Sequence, residues 1–587
     1  MGIFDVLTLV CGLALFLYGM DVMGDALKKS AGRKLKTILG NLTSNRFKAL
    51  GLGMIVTAVI QSSSATTVMV VGFVNSGTMT LIQAVGVIMG ANVGTAVTAW
   101  LTGLSGIGDA LELLKPDTWV PIIAIVAVCL TMFVKRGKKR DVGFILIGFA
   151  ILMVGMDMMS GAVSGLRENE TFTSILTMFE NPILGVLAGL VLTAIVQSSS
   201  ASIGILQALT VTGGITYGAA IPIIMGQNIG TCVTAMLSSI SANKNGKRAA
   251  LIHLYFNVIG VVVWLSLFYI VNALFPIPWF GPEGGTLVEA PIEMWGVAGV
   301  HTIFKLLSVL LMGPFYRQLE KLARLSIKDD KAAAETVNLL DERLFETPAI
   351  AVARATEVTA AMAEVSCKAL KGSLALFDSY DPKAAEVVRS LENKADAYED
   401  ALGTYLVKIS SHDVDESDSR QITKLLHIIG DFERISDHAV NILESAEEMR
   451  DKKISFSSEA QREMAILRSA IDEILAVTER AFASNDIKAA ADVEPLEEVI
   501  DDIRDKIKLN HILRLQKSEC TIEHGFILAD LLNNFERVSD HCSNIAGCVI
   551  EISQYEALDM HKYLADVKHG SESFDEKYKE YKRKYSV

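Results

Sequence analysis

Internal repetition is the feature that most constrains this sequence: shifted by 136 residues, it aligns with itself without a gap. Residues 57–66 return as residues 193–202 with seven of ten positions identical. Residues 88–99 return as residues 224–235 with nine of twelve identical, and a shorter match in the same register begins at Gly19. The first half of the chain therefore contains two copies of one structural unit.

The charge of the chain divides it into two parts. Residues 1–325 hold 21 Lys and Arg against 15 Asp and Glu, a net of +6 (21 − 15). The remainder holds 33 against 52, a net of −19 (33 − 52), and the two parts sum to the −13 of the whole chain. The first part is rich in apolar residues and Gly, as in a membrane domain, and the second is typical of charged amphipathic helices. An acidic soluble part argues against a nucleic-acid partner, because phosphate backbones recruit Lys and Arg.

Loop charges predict the orientation of the two copies. Residues 27–48 carry seven Lys and Arg and no acid, whereas their partner loop, residues 164–181, carries one Arg against three Glu. The next pair is reversed, since loop 102–118 is acidic and its partner 241–248 is basic. Basic loops face the cytoplasm. Equivalent loops are thus predicted on opposite sides of the membrane, which is the inverted-repeat construction of secondary transporters.

The apolar stretch of residues 49–75 is too short for two membrane crossings, since each needs ~20 residues. A Gln-Ser-Ser-Ser run interrupts it, so we predict a re-entrant hairpin that enters the membrane and returns to the same side. Residues 182–213 repeat the pattern. The prediction is an all-α protein with a multi-pass domain in the inner membrane and a cytosolic helical part. The predicted bounds are 1–320 for the membrane domain (repeat one about 1–135, repeat two about 137–275, last span 292–314), 321–345 for a linker, 346–562 for the helical domain and 563–587 for a charged tail.

Two polar hairpin breaks related by inverted symmetry are predicted to meet at a central site, because backbone at that depth must be hydrogen-bonded or line a cavity. Amide groups at helix N-termini and Ser hydroxyls suit an anion, and amide oxygens of Gln suit sodium. No Lys or Arg lies in the apolar runs of the repeats, so we infer that an anion is held by neutral donors and accompanying cations. The alternative is that the serines bond their own helix. The candidate residues are Gln61, Ser62, Ser63, Ser64, Thr66, Gln197, Ser198, Ser199, Ser200 and Ser202.

A second motif follows each glutamine by about 30 residues, at 90–95 and again at 226–231. Glycines flanking a polar Asn in an apolar helix predict an unwinding point, and close packing of small residues is the alternative explanation. The candidates here are Asn92, Thr95, Asn228 and Thr231. We interpret His253 and His301 as helix-packing residues.

The paired Gln-Ser-Ser-Ser runs, together with the His-Leu-Tyr-Phe-Asn run at 253–257, resemble the type II sodium/phosphate cotransporter family over about residues 1–315. The resemblance implies inorganic phosphate as substrate and sodium as the coupling ion, bound around residues 61–66 and 197–202. Hydroxyl residues that animal members carry after the serines are partly replaced here, which leaves the number of sodium sites open.

The acidic part repeats as well, at an offset of 103: residues 431–442 match residues 534–545 in eight of twelve positions. Carboxylates four residues apart share one helical face, and such clusters on facing helices hold metals in helical bundles. A solvated charged face is the alternative. The candidate metal ligands are Glu392, Asp396, Glu433, Asp437, Glu497, Asp501, Glu536 and Asp540.

This repeat resembles PhoU, a phosphate-signalling regulator built of two three-helix bundles, over about residues 346–560. The resemblance implies iron, zinc or magnesium on these carboxylates, without selecting among them. The end of the chain after about residue 562 has no periodic apolar face, so we expect a frayed helix there.

Three functions remain in competition: a sodium-coupled phosphate symporter with a regulatory domain, a transporter or channel for another small oxyanion, and a membrane-anchored phosphate-signalling regulator. An enzyme is not expected, since the sequence has no P-loop, nucleophile elbow or metalloprotease motif. The expected partners are phosphate, sodium and membrane lipid, and a homodimer is left open. The direction of transport is also left open.

Overall fold

The structure is a computed structural model in which residues 3–40, 46–106, 116–134, 138–168, 178–278, 285–328, 340–377, 379–412, 414–554 and 572–586 are described. These residues form α-helices joined by short turns, and they contain no strand beyond two isolated bridges. Parts of the predicted loops 27–48, 102–118 and 164–181, of the linker 321–345, of the helical domain 346–562 and of the tail 563–587 lie outside the described residues. The chain divides into two compact units, Met1–Ile350 and Ala351–Val587.

The first unit contains fourteen α-helices among its described residues. They are α1 Ile3–Gly40, α2 Arg46–Ile60, α3 Ser63–Asn75, α4 Leu81–Gly94, α5 Ala96–Gly103, α6 Pro116–Phe133, α7 Lys138–Ser164, α8 Pro182–Val196, α9 Ser199–Thr210, α10 Tyr217–Gly230, α11 Cys232–Ser238, α12 Lys244–Leu274, α13 Met294–Met312 and α14 Tyr316–Ser326.

Six apolar segments in the described residues are long enough to cross a membrane. They are Ile3–Lys29, Leu81–Gly103, Lys139–Ser164, Tyr217–Ser238, Lys244–Leu274 and Met294–Met312. The helices on either side of each Gln-Ser-Ser-Ser run are shorter, namely α2 with α3 and α8 with α9. Two short helices joined at a break are the local structure that a hairpin needs. The re-entrant path and the inverted orientation remain predictions from loop charge and length.

The two sequence repeats pack in the same way. Helix α2 lies against α4, and its counterpart α8 lies against α10. A glycine stands at each crossing, where the backbone approaches so closely that a Cβ atom would overlap a carbonyl oxygen: Gly90 meets Leu50, and Gly226 meets Val186. Close packing of small residues, the alternative explanation of these glycines, is therefore present in both copies.

The second unit is a set of long amphipathic helices whose apolar faces form its core. The helices are α15 Pro348–Ala375, α16 Pro382–Ser410, α17 Glu416–Lys452, α18 Ser458–Ser484, α19 Ile487–Ala491, α20 Val493–Gln516, α21 Ile522–Gln554 and α22 Glu572–Lys584. Capping residues delimit them: Asp415 and Ser457 accept hydrogen bonds from the first turns of α17 and α18, and Lys453 and Asn485 end these helices in the left-handed region. Each such N-cap stabilises its helix by ~1 kcal/mol.

The end of the chain differs from the frayed helix expected of it. Helix α22 packs against α20, and Tyr581 and Tyr585 are buried, each 6% exposed. Tyr585 donates a hydrogen bond to Glu473, and Lys582 forms a 2.8 Å ion pair with Asp502. Aromatic residues four apart supply one apolar face among many charges. The spacing of aliphatic residues alone does not indicate such a face.

Candidate functional site

Each Gln-Ser-Ser-Ser run forms a break between two helices, and the backbone of the two breaks is nearly identical. Gln61 has a φ of 59° and Gln197 a φ of 56°, both in the left-handed region that non-glycine residues rarely adopt. Their N–H groups donate to the carbonyls of Thr57 and Thr193 at 2.8 and 2.7 Å. Each glutamine thus ends one helix and turns the chain, so that its side chain lies at the tip of the pair of helices.

The first serine of each run is the N-cap of the next helix. Ser62 accepts a hydrogen bond from the Ala65 N–H at 3.1 Å, and Ser198 accepts one from the Ala201 N–H at 3.2 Å. The remaining serines lie in the first turns of α3 and α9, where backbone N–H groups have no partner within the helix and the helix dipole is positive. These serines are Ser63, Ser64, Ser199 and Ser200, and all except the half-buried Ser64 are buried. Both breaks therefore present an anion-attracting helix end.

The two glutamine side chains differ. Gln61 is buried, its Nε2 donates to the Ala58 carbonyl, and its Oε1 accepts a 2.9 Å hydrogen bond from Thr98. Gln197 is exposed. The counterpart of Thr98 in the second repeat is Thr234, and its hydroxyl is buried without a hydrogen-bond partner among the described residues. The first break is thus tied to α5, whereas the corresponding bond in the second repeat is not made.

The second repeat also has more unpaired buried oxygen near its break. In the first repeat Thr57 donates to Thr66 at 3.1 Å. The equivalent residues Thr193 and Ser202 are fully buried, and neither hydroxyl has a partner in the described part of the chain. The same holds for Oε1 of Gln227, whose amide nitrogen donates to the Ser202 carbonyl at 2.9 Å. Two hydroxyls and an amide oxygen without donors have the chemistry of a cation ligand set.

The second motif interrupts the helix at a single residue in each copy and does not unwind it further. Thr95 joins α4 to α5, and Thr231 joins α10 to α11. Both keep helical backbone angles: φ is −61° and ψ is −25° at Thr95, and φ is −59° and ψ is −26° at Thr231. Their hydroxyls donate to the carbonyls of Ala91 and Gln227. The helix continues because these hydroxyls bond within it and the flanking glycines serve the close crossing of helices. Thr95 and Thr231 are therefore bound to their own helices.

Asn92 and Asn228 instead direct their side-chain oxygens toward α13. Their Nδ2 atoms donate to the carbonyls four residues back, at 3.0 Å to Ile88 and 2.8 Å to Ile224. The Oδ1 atom of Asn92 accepts a 2.5 Å hydrogen bond from Nζ of Lys305, and that of Asn228 lies 3.3 Å from Nε2 of His301. One turn of α13 thus contacts both repeat-related asparagines.

Lys305 is the functional candidate that the sequence reasoning missed. It is 3% exposed, and Nζ also lies 3.3 Å from Oδ1 of Asn257. The apolar runs of the two repeats contain no Lys or Arg, and on that basis an anion was expected to meet only neutral donors. Lys305 belongs instead to the last span, which lies outside both repeats. A lysine inside an apolar span was the available signal, because such residues are costly in a membrane and mark functional sites. Likewise His301, interpreted as a packing residue, touches a candidate site residue.

The first group of candidate metal ligands comprises Glu392, Asp396, Glu433 and Asp437. Burial, the Asp437 carboxylate and, least, Glu399 raise the pKa of Glu433 to about 7, against a lowering by Arg434. The pKa of Glu392 is also raised, by burial and then by Asp437 and Asp396. Negative charge therefore exceeds positive charge here, although Arg434 lies 3.5 Å from Glu433 and 3.6 Å from Asp437. A cation would relieve this excess.

The second group comprises Glu497, Asp501, Glu536 and Asp540. Arg504 bridges Asp501 at 3.0 Å and Glu536 at 2.5 Å, so a cationic side chain already occupies this face. Burial raises the pKa values of Asp501 and Asp540, each with a contribution from Glu536. The second group is thus better neutralised than the first.

The carboxylates suit a metal in charge but are not gathered around one point. Within the described ranges no set of three or more His, Cys, Asp or Glu side chains is placed to hold an ion. Metal binding therefore stays a prediction for both groups.

Two histidines link the offset-103 repeats of the second unit. His438 Nδ1 lies 2.8 Å from Oδ1 of Asn534, and the equivalent His541 Nδ1 lies 2.8 Å from Oδ1 of Asp431. The rings are 5.7 Å apart, and burial lowers the pKa of His438. Both histidines lie in the repeated segments 431–442 and 534–545, where the sequence alone assigns them no role. The crossed bonds show that the two copies contact each other through equivalent residues.

Comparison with known protein families gives two matches. The Na+/Pi-cotransporter family matches residues 15–161 and 151–275, and the PhoU domain family matches residues 359–446 and 466–549. Each match occurs twice, as the sequence repeats do.

Individual relatives share different lengths of the chain. YjbB of Escherichia coli K12, named "Putative inorganic phosphate export protein", is 23% identical over 555 residues, which are 93% of this chain and 97% of that protein. The uncharacterized protein YqeW of Bacillus subtilis is 31% identical over 253 residues, 43% of this chain and 78% of that protein. Human sodium-dependent phosphate transport protein 2B is 35% identical over 133 residues, 21% of this chain and 19% of that protein. A solved PhoU structure from Streptococcus pneumoniae aligns at 17% identity over 35% of this chain and 97% of that one, with a TM-score of 0.32, too low to support a conclusion.

Proposed function

The chain belongs to the Na+/Pi-cotransporter family and carries PhoU domains in its C-terminal half, and from this premise we propose that it moves inorganic phosphate across the inner membrane together with sodium ions. It is a multi-pass protein of that membrane. The proposal is a secondary transporter and not an enzyme: it needs binding and release on two sides and no covalent step.

One observation carries the proposal, namely the matched breaks at Gln61 and Gln197. Each break ends one short helix with a glutamine in the left-handed region and begins the next with a serine cap. The first-turn amides and hydroxyls at these helix ends suit an oxyanion. The symmetry of the breaks supports a site shared by the two repeats.

The unpaired oxygens of the second repeat support sodium as the coupling ion. The hydroxyls of Thr193 and Ser202 and the Oε1 atom of Gln227 are buried without donors in the described residues. Sodium is a hard cation that takes neutral oxygen ligands, as calcium and magnesium also do. A bound ion would satisfy these oxygens and offset part of the charge of phosphate.

For the second unit we propose regulation through a divalent metal on the first carboxylate group. The excess of negative charge around Glu433 supports this role, because a cation binding there would favour the ionised carboxylates. Iron, zinc and magnesium remain the candidates, and the ligands would be those named from the sequence, beginning with Glu392 and Glu433.

Direction of transport follows from the gradients in a symporter. The export stated in the name of YjbB is a property of that protein, and an inward sodium gradient would instead drive uptake. The deciding experiment is flux of labelled phosphate in proteoliposomes that carry the sodium gradient inward, outward or not at all. Potassium replaces sodium in the control.

We expect phosphate to follow the sodium gradient in both arrangements and to be displaced by excess unlabelled phosphate. Flux of equal size in potassium would exclude sodium coupling. Flux of sulfate with no flux of phosphate would transfer the proposal to another oxyanion. Binding without any flux would favour a signalling protein.

A further inference from the structure

The amino group of Lys305 lies in the interior of the first unit, with no carboxylate beside it among the described residues. The residue lies in the middle of α13 and is 3% exposed. In the part of the chain that the structure describes, no carboxylate oxygen lies within 4.0 Å of Nζ. An uncompensated ammonium is costly in an apolar interior, and a bound anion would offset that cost.

The atoms that hold the ammonium are neutral oxygens. Nζ donates to Oδ1 of Asn92 at 2.5 Å and to Oδ1 of Asn257 at 3.3 Å. Asn257 is held in turn, because its Nδ2 donates to the His253 carbonyl at 3.0 Å. Asn92 belongs to the first repeat and Asn257 to α12, so the ammonium joins two separate helices through amide oxygens. Amide oxygens in this arrangement are equally suited to an alkali cation.

A short sequence repeat indicates what the lysine replaces. Residues 301–305, His-Thr-Ile-Phe-Lys, match residues 253–257, His-Leu-Tyr-Phe-Asn, in the His and the Phe. Both copies are buried at their first, fourth and fifth positions. The fifth position is Asn257 in one copy and Lys305 in the other. The fifth position of this short repeat is thus a neutral amide at Asn257 and an amino group at Lys305.

The helix that carries Lys305 lies against the elements of the candidate transport site. Helix α13 packs on α4 and α5 of the first repeat and on α9 and α10 of the second. Helix α9 begins at the serine run of the second break, and α5 holds Thr98, the partner of Gln61. Helix α13 therefore contacts one helix of the second break, α9, and the helix that bonds the glutamine of the first break, α5.

We propose that the ammonium of Lys305 is a built-in counter-cation for the transported oxyanion and occupies the place of one alkali cation. This inference rests on the proposed function for the identity of the anion as phosphate. Its consequence is that the chain binds its anion with one sodium ion fewer than it would need with a neutral residue at position 305.

The test measures stabilisation of the purified full chain in detergent by inorganic phosphate, in choline gluconate and in sodium gluconate. A ligand that binds only the folded state raises the unfolding temperature. The variants are Lys305→Met, Lys305→Asn and Lys305→Arg. Lys321→Met, at an exposed position of α14, is the matched control.

We expect phosphate to stabilise the wild type, the Arg variant and the control in choline. Lys305→Met should lose about tenfold to a hundredfold in phosphate affinity, the range for a lost hydrogen bond to a charged group. Lys305→Asn should recover binding in sodium only. In proteoliposomes the Hill coefficient of phosphate flux against sodium concentration should rise by about one in Lys305→Asn. This variant places the same residue type at position 305 as at position 257.

Unchanged phosphate affinity of Lys305→Met in choline would overturn the proposal, as would a wild type that binds no oxyanion without sodium. If the wild type transports no phosphate but sulfate stabilises it in choline, and Lys305→Met abolishes that effect, the counter-cation stands and the phosphate assignment fails. If the wild type transports phosphate with sodium and Lys305→Asn does so with the same sodium dependence, the proposed function stands and the counter-cation fails. Phosphate binding by Lys305→Arg, together with an unfolding temperature of Lys305→Met without phosphate close to that of the wild type, shows that loss of binding reports charge and not misfolding.

Discussion

The hydroxyl of Thr98 donates a 2.9 Å hydrogen bond to Oε1 of Gln61, and this bond ties the first helix break to α5. The second repeat has the same two residue types, yet Gln197 is exposed and the Thr234 hydroxyl has no partner among the described residues. Two nearly identical backbone breaks therefore differ in whether the glutamine is engaged. A transporter that works by alternating access needs such inequality between its repeats in any one state.

Gln61→Ala and Gln197→Ala should both reduce sodium-driven phosphate flux, by about tenfold to a hundredfold in affinity for one lost hydrogen bond to a charged group. They should differ in stability. Gln61→Ala should also destabilise the protein by ~1 kcal/mol, because Thr98 loses its acceptor, whereas Gln197→Ala should not. The measurements are phosphate uptake against sodium concentration and the unfolding temperature. Wild-type kinetics in both variants would show that phosphate binds elsewhere.

Inverted topology predicts opposite labelling of equivalent loops. Single cysteines replace Lys29, at the predicted cytoplasmic end of the first span, and Met178, in the predicted external loop, in a chain lacking its seven native cysteines. A membrane-impermeant thiol reagent added to intact cells should label the cysteine at position 178 only. After permeabilisation it should label both. Labelling of both positions, or of neither, in intact cells would remove the inverted repeat.

The raised pKa of Glu433 predicts a stability effect that depends on pH. Its pKa is about 7 in the folded chain against 4.5 for the free side chain, so between these values the unfolded state ionises and the folded state does not. Stability is therefore lost as the pH rises from 4.5 to 7, and the penalty is constant above that. Glu433→Gln should stabilise α17 by about 1–2 kcal/mol at pH 8 in a chelator, a figure reduced for solvent exposure, and by nothing below pH 4.5.

Hydrogen exchange of α17 in the full chain measures this effect, and the exposed Glu416→Gln is the control. Adding zinc, iron or magnesium tests the metal proposal in the same samples. A bound metal would favour the ionised Glu433, so the metal should protect the wild type more than the variant. Equal protection with and without each metal, in both proteins, would leave the carboxylates as a charged surface.

The helix at the end of the chain should contribute to the stability of the second unit. Tyr581→Ala removes a buried ring, and large-to-small changes of aromatic residues cost ~3–5 kcal/mol in well-packed cores. Lys579→Ala changes an exposed neighbour on the same helix and should have little effect. The unfolding temperature of the purified chain is the readout. No difference between the two variants would mean that α22 does not dock in solution.

Repetition and composition in the sequence were sufficient to predict an all-helical membrane part, a second helical part and the positions of both helix breaks, and the resemblance of the second repeat to PhoU identified the second part. Periodic apolar faces and turns within one element are local properties, so the chain near Gln61 and Gln197 already contains the information for them. The same holds for the caps at Ser62 and Ser198, since the capping bond joins residues three apart.

Contacts between distant residues had to come from the tertiary structure. Lys305 reaches Asn92 across 213 positions, and His541 reaches Asp431 across 110. No local sequence pattern predicts either pair, because each contact depends on how helices cross and not on the periodicity of a single helix. The unequal settings of Gln61 and Gln197 follow the same principle. The shared Gln-Ser-Ser-Ser run determined the same backbone break, and packing against α5 and its counterpart decided which side chain is engaged.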